Sequence, residues 1–283
     1  MSLSRDEVLD GVPFPCGQCL ACRINKRRIW TLRLVLERFM HSSSAFITLT
    51  YSDDNLPYTL DGLPTVCKRD LQLFVKRLRK KYGQGIRYYA VAEYGEKTSR
   101  PHYHCVLFGV DSFALDPYWV QFEGKSGNGR DSNLSTLWPY GIVHVGECER
   151  KSIQYVAGYV TKKMTKRDDT RQKEFALMSR KPGIGFGAVE YLCAAYKDVA
   201  AVPPRQVRYD GKMWPLGRYL NTKLCDALGY EGSVDSFIAE MREKYKSYRS
   251  SDSYSFLEWM VSQDDSAFAR LEFKTSLSSR SGL

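Results

Sequence analysis

Apolar and polar residues divide this chain into segments of two periods. Phe46-Ile47-Thr48-Leu49-Thr50-Tyr51 is dense in β-branched and aromatic residues and reads as a strand. Ser52 to Gly62, with Asp53, Asp54, Pro57 and Asp61-Gly62, reads as a loop. Between Lys68 and Tyr82, Leu71, Phe74, Val75 and Leu78 follow the i, i+3, i+4, i+7 spacing of a helix. Lys76, Arg77, Arg79, Lys80 and Lys81 surround that stripe as a solvated face, and Gly83 and Gly85 end it. Ile86 to Tyr94 is a second strand, Gly95 to Ser99 a turn, and the run ending in Cys105–Phe108 a third strand. Ile142–Val145 is a short strand, and Ser152–Met164 a helix.

The flanks are less regular. Trp30–Met40 reads as a helix behind the basic run Arg23, Lys26, Arg27, Arg28. Gly124–Gly129 is a glycine-rich loop, and Pro182–Gly187 is a break before a helix over Ala188–Val199. Val207–Trp214 reads as a hairpin around Asp210-Gly211, and Asp235–Tyr248 as a helix. The Ser-rich end, Thr275–Leu283, reads as disordered. The order predicts an α+β fold: an antiparallel β-sheet with flanking helices and N- and C-terminal helical additions. The expected divisions are 1–41 (cysteine cluster and basic helix), 42–170 (the core) and 171–283 (a partly helical extension with a disordered tail).

Composition narrows the class. The 283 residues carry a net charge of +10 and 13% aromatics, a balance that suits phosphates and bases. The polar, acidic start is not a leader, and no apolar run reaches the roughly 18 residues that cross a membrane. Eight cysteines in such a chain are expected to be reduced, and the cluster Cys16, Cys19, Cys22 has the two-residue gaps of structural zinc ligands, with Cys67 as a candidate fourth.

Two of the four histidines stand in Arg100-Pro101-His102-Tyr103-His104. Strand alternation points His102 and His104 to one side and Tyr103 to the other. If this strand pairs with its predecessor as a hairpin, Glu93 comes alongside them, with Glu96 in the turn as a fallback. Two imidazoles and a carboxylate suit Mg²⁺, Mn²⁺ or Zn²⁺. An isolated His-x-His is otherwise an ordinary surface pair.

Further on, Tyr155, Tyr159 and Lys162 fall within about 60° of one another on a helix. Ile153, Val156, Ala157, Val160 and Met164 lie opposite. The apolar side is expected to pack on the sheet and the tyrosines to project from the other. A phenol with a pKa near 10 is a weak nucleophile unless a cation favours the phenolate, which gives Lys162 a role.

These three segments, Phe46–Tyr51, Arg100–Gly109 and Gln154–Lys163, resemble in order the three motifs of HUH endonucleases that initiate rolling-circle replication. The Pro15-Cys16-Gly17-Gln18-Cys19 run, Glu93-Tyr94-Gly95 and Ser179–Gly185 further resemble the initiators of gokushovirus-type microviruses, over residues 12–225. The resemblance implies an RRM-like, ferredoxin-like HUH core. It implies divalent metal (Mg²⁺ or Mn²⁺) on His102, His104 and an acidic residue, and catalysis by Tyr159 and Tyr155 with Lys162. It implies nicking and rejoining of a single-stranded DNA origin through a 5′-phosphotyrosine. With no Gly-x-x-x-x-Gly-Lys-Ser/Thr loop, unwinding is expected from a host helicase and extension from a host DNA polymerase, in the cytoplasm of a bacterium. Tyr159-x-x-Lys162, with Gly158 before it, departs from some two-tyrosine relatives. Three competing readings are a non-catalytic basic single-stranded DNA-binding protein, a transposase or relaxase of the same fold, and a zinc-stabilised structural protein.

Overall fold

A computed structural model describes residues 8–9, 12–13, 17, 19–95, 98–115, 134, 136–159, 170–198 and 203–230. The chain divides into two units, Met1–Asn25 with Gly229–Leu283, and Lys26–Leu228. The described part of the first holds two short antiparallel strands, β1 (Val8–Leu9) and β2 (Val12–Pro13). The predicted loop at Gly124–Gly129, the helix at Asp235–Tyr248 and the Ser-rich end lie outside the described residues.

The second unit is built on a five-stranded antiparallel sheet: β3 (Ser44–Thr50), β4 (Arg87–Tyr94), β5 (Pro101–Phe108), β6 (Val143–Glu147) and β7 (Phe175–Met178), in the order β6-β3-β5-β4-β7. The α+β architecture with flanking helices is therefore as expected. Its outer strand, β7, comes from beyond residue 170, so the sheet reaches into the segment assigned above to the C-terminal extension.

Helix α1 (Leu20–Phe39) begins ten residues before the Trp30 expected from apolar spacing. Its early turns carry Arg27 and Arg28 exposed, and only the later ones bury Leu32, Leu34 and Val35. Helix α2 (Lys68–Tyr82) matches its predicted span, with Leu71, Phe74, Val75 and Leu78 buried. A short helix, α3 (Ser112–Leu115), leads away from β5. Helix α4 (Arg150–Gly158) opens on a capping box: Glu149 accepts from the Ser152 backbone, and the Ser152 hydroxyl accepts from Glu149 N–H at 3.1 Å. Helix α5 (Val189–Tyr196) and a hairpin of β8 (Gln206–Tyr209) and β9 (Lys212–Pro215) follow. The hairpin turns on Asp210 and Gly211, both at positive φ (50° and 69°), as a primed turn requires. Helix α6 (Gly217–Leu228) packs Leu220 and Leu224 with Leu32 and Val189 of α1 and α5.

The sheet separates two cores. One face carries Ile47, Leu49, Ala90, Tyr103, Cys105 and Leu107 against α2 and Trp138. The other carries Tyr89, Val91, Val106 and Phe108 against Leu34 and Val35 of α1 and Ile153, Val156 and Ala157 of α4. Buried Glu37 pins α1 down, accepting from Arg87 and, at 2.6 Å, from the Gly185 amide. Gly141, before β6, passes so close to β3 that a Cβ there would lie 2.2 Å from the Thr50 carbonyl oxygen.

Candidate metal and tyrosine site

The register of β4 with β5 sets Glu93 directly opposite His102. Cross-strand partners share a face, so Glu93, His102 and His104 all point towards the side covered by α1 and α4. The hairpin geometry expected from the spacing is present. Glu93 Oε1 lies 2.6 Å from His102 Nε2 and 2.9 Å from His104 Nε2. The three form the one group of three or more candidate metal-ligating side chains among the described residues, with ligand atoms within 4.8 Å of one another. Glu96, the fallback, lies outside those residues.

The remaining ring nitrogens are held. His102 Nδ1 donates to the Arg100 carbonyl at 3.1 Å, and His104 Nδ1 lies 2.9 Å from the Thr48 hydroxyl. Since a carbonyl only accepts, His102 carries a proton on Nδ1. In the neutral ring the Nε2 lone pair then faces the Glu93 oxygen. A lone pair and a carboxylate oxygen at 2.6 Å need a positive charge between or on them, either a proton or a metal ion. The donor set therefore fits a divalent cation. Arg100 fixes the turn behind it, donating to the Tyr51 carbonyl at 2.7 Å and to Asp53 at 2.6 Å.

Burial alone would raise the Glu93 carboxyl. Hydrogen bonds from His102, His104 and Tyr159 outweigh that and hold it well below the usual carboxylate range.

The tyrosines correct one expectation. They do not project away from the sheet: the Tyr155 ring lies 5.1 Å from His104 and 6.5 Å from Phe46, and the Tyr159 ring stacks on His104 at 5.4 Å. The two phenol rings meet edge to face at 4.9 Å. The reason is that α4 has two supports. Its apolar side packs with α1 and the far ends of β4 and β5, so the tyrosine side comes down over the histidines. Tyr155 is 50% exposed, whereas Tyr159 is half-buried. Burial, then hydrogen bonds with Tyr155 and Glu93, push the Tyr159 phenol well up. Gly158 is not demanded by packing, since a Cβ there would sit 3.6 Å from the Arg27 guanidinium, ordinary contact.

Lys162 and Cys16 lie outside the described residues. Cys19 directly precedes α1 and Cys22 lies in its first turn, the Cys22 amide donating to Cys19 Sγ at 3.5 Å. Cys67, the fourth-ligand candidate, caps α2, where its backbone pairs with the Tyr103 hydroxyl.

Two residues of the site face were not singled out from sequence. Thr48 and His144 stand in one row across the sheet with His104, Thr48 in register with both. The alternation of Phe46, Thr48 and Thr50 in β3 carried that signal, because it puts these three on one face.

Fold and site together define a class: an antiparallel sheet that presents paired histidines and a carboxylate beneath a helix bearing two tyrosines. The family model for replication-associated protein ORF2 matches residues 44–164, the segment that holds all of these groups. Over that segment the chain belongs to this family. Replication-associated protein ORF2 of Spiroplasma virus 4 is 34% identical over 161 residues, 54% of this chain and 49% of that protein. Replication-associated protein VP4 of Bdellovibrio phage phiMH2K is 32% identical over 55% of this chain and 50% of its own. Replication-associated protein ORF4 of Chlamydia phage 1 is 32% identical over 53% and 38%. The chain thus spans about half the length, or less, of these curated relatives. No solved structure matches it significantly.

Proposed function

We propose that the chain is an HUH-type endonuclease that nicks and rejoins single-stranded origin DNA in the rolling-circle replication of a small phage genome. The observation that carries this reading is the convergence of both tyrosine rings, at 5.1 and 5.4 Å, on the His104 ring of the Glu93, His102, His104 group. His102, His104 and Glu93 would hold a divalent cation, Mg²⁺ or Mn²⁺. Bound there, the cation supplies Lewis-acid polarisation of the scissile phosphate.

The protein's own part is positioning. Arg100 and Thr48 orient the imidazoles, and α4 holds two nucleophiles one turn apart. Tyr159 attacks first, because its hydroxyl is directed at Glu93, with Lys162 as the cation that favours the phenolate. The Tyr159 oxygen bonds to phosphorus as the bond from phosphorus to the 3′ oxygen breaks. The phenol proton passes to water, and the leaving oxygen takes a proton to become the 3′-OH. One phosphodiester replaces another, so rejoining needs no nucleotide cofactor. Tyr155 then attacks the regenerated origin, and the free 3′-OH reverses the first link to close the circle. A host DNA polymerase extends that 3′-OH while a host helicase unwinds.

Incubating the protein with phage single strands and Mn²⁺, then resolving it on a denaturing gel, tests this reading. A covalent protein–DNA adduct is expected from the wild type and none from His102→Ala/His104→Ala. Strands bound without any adduct would favour a non-catalytic DNA-binding protein.

A further inference from the structure

Beside the metal group, on the same sheet face, a cleft of about 410 Å³ opens between α1 and strands β4 and β7. Tyr89, Val91 and Ala176 form its floor, Trp30 and Tyr159 its sides, and Glu93 closes one end. Lys26, exposed on α1, also lines it. Nothing in the reading above uses this space.

Its lining points to a ligand that is flat, apolar on its faces and polar at its edge. The Trp30 indole is fixed in place: the Arg33 guanidinium stacks 4.2 Å from its centroid, and the Tyr89 ring packs at 4.9 Å. A held indole facing a cleft is a stacking surface that costs little order to use. Tyr89 is fully buried, and its hydroxyl has no hydrogen-bond partner among the described residues. A buried hydroxyl left unmatched is a cost that a ligand with a polar edge offsets. A cation in the lining suits a ligand attached to phosphate.

We propose that this cleft receives one unstacked nucleobase of the single strand, the base next to the phosphate that lies over Glu93 and His104, with Trp30 stacking on its face, Tyr89 meeting its edge and Lys26 contacting the backbone. The assignment rests on the nuclease reading for its placement beside the scissile phosphate. It adds to that reading a reason why the strand is seated in one register: a base must leave the stack and enter the cleft before the neighbouring phosphate reaches the tyrosines.

Binding without chemistry tests the cleft. Fluorescence anisotropy would compare the full chain on short oligo(dA), oligo(dC) and oligo(dT) strands with strands of equal length and charge made only of abasic units. Trp30→Ala removes the stacking surface, and Ala176→Leu fills the cleft without removing any packing. Each should narrow the affinity gap between base-bearing and abasic strands by roughly 5-fold or more. Each should leave the abasic strand's affinity unchanged, with folding checked by circular dichroism. Tyr89→Phe removes only the oxygen and should keep the gap while changing the order of preference among the three base-bearing strands. A gap undiminished in both folded variants overturns the cleft as a base site. An unchanged order in Tyr89→Phe overturns the part given to its hydroxyl. A narrowed gap in the variants alongside a wild type that forms no covalent adduct would sink the nuclease reading and leave the base site standing.

Discussion

Tyr103 and His104 are neighbours in β5, yet they serve opposite faces of the sheet in opposite ways. On the α2 face the Tyr103 hydroxyl sits 2.8 Å from Tyr51 Oη and pairs with both backbone groups of Cys67, at 2.7 and 2.9 Å. Tyr51 in turn donates to Asp70 at 2.9 Å. Burial, then each other's hydroxyl, hold these phenols protonated far above neutrality. Around them close Trp138, Phe74 and Leu49. On the α4 face, polar groups instead pair with one another around a single carboxylate oxygen, under one exposed phenol and one half-buried one. The first arrangement uses buried polar groups to fix a structure. The second gathers donor atoms that a cation can take over. The strand's two-residue period is what keeps them apart.

Breaking the structural face should give the largest change in stability. Tyr103→Ala is expected to cost about 3–5 kcal/mol, from a fully buried ring. Tyr103→Phe should cost about 1–3 kcal/mol, from stranded partners. Both are read from urea unfolding, and the phenylalanine variant should keep metal affinity intact. Equal loss of metal binding in Tyr103→Phe would show that the two faces are coupled.

On the other face, His102→Ala and His104→Ala should abolish Mn²⁺ binding in calorimetry while leaving most DNA affinity, which comes from Lys and Arg contacts to phosphates. Thr48→Val removes only the hydroxyl that orients His104. It should weaken Mn²⁺ binding by roughly 10-fold, and an unchanged affinity would mean the ring needs no such support.

The smallest expected effect is on pH. The folded Glu93 carboxyl lies below its ordinary value of 4.5, so its contribution is complete above that pH and is lost as pH falls below it. With chelator present, the stability advantage of wild type over Glu93→Gln should shrink on acidification below pH 4.5. An advantage constant across that range would show that the pairing with the histidines contributes nothing.

Much of this contrast was legible in the chain. The alternation around His102 and His104, the apolar spacing of α2 and the short turn after Glu93 gave the sheet face and three candidate ligands. What escaped had physical causes. β7 is four residues long and lies at a sheet edge, and Phe175-Ala176-Leu177-Met178 has no period to distinguish strand from helix. The first turns of α1 are exposed and basic, so they lack an apolar stripe. The facing of Tyr155 and Tyr159 could not be read from α4 alone, because a helix that rests on both α1 and the sheet has two inner sides. The base cleft draws on residues from α1, β4 and β7, which no local pattern unites.

The central claim is that one metal group serves two tyrosines, and covalent capture tests it most directly. Wild type, Tyr155→Phe, Tyr159→Phe and the double variant would each be given phage single strands with Mn²⁺, and the linked residue mapped by peptide mass spectrometry. The account predicts a sharp fall in adduct for Tyr159→Phe, a milder one for Tyr155→Phe, linkage to the remaining tyrosine in each, and none in the double variant. An adduct undiminished in the double variant would contradict it.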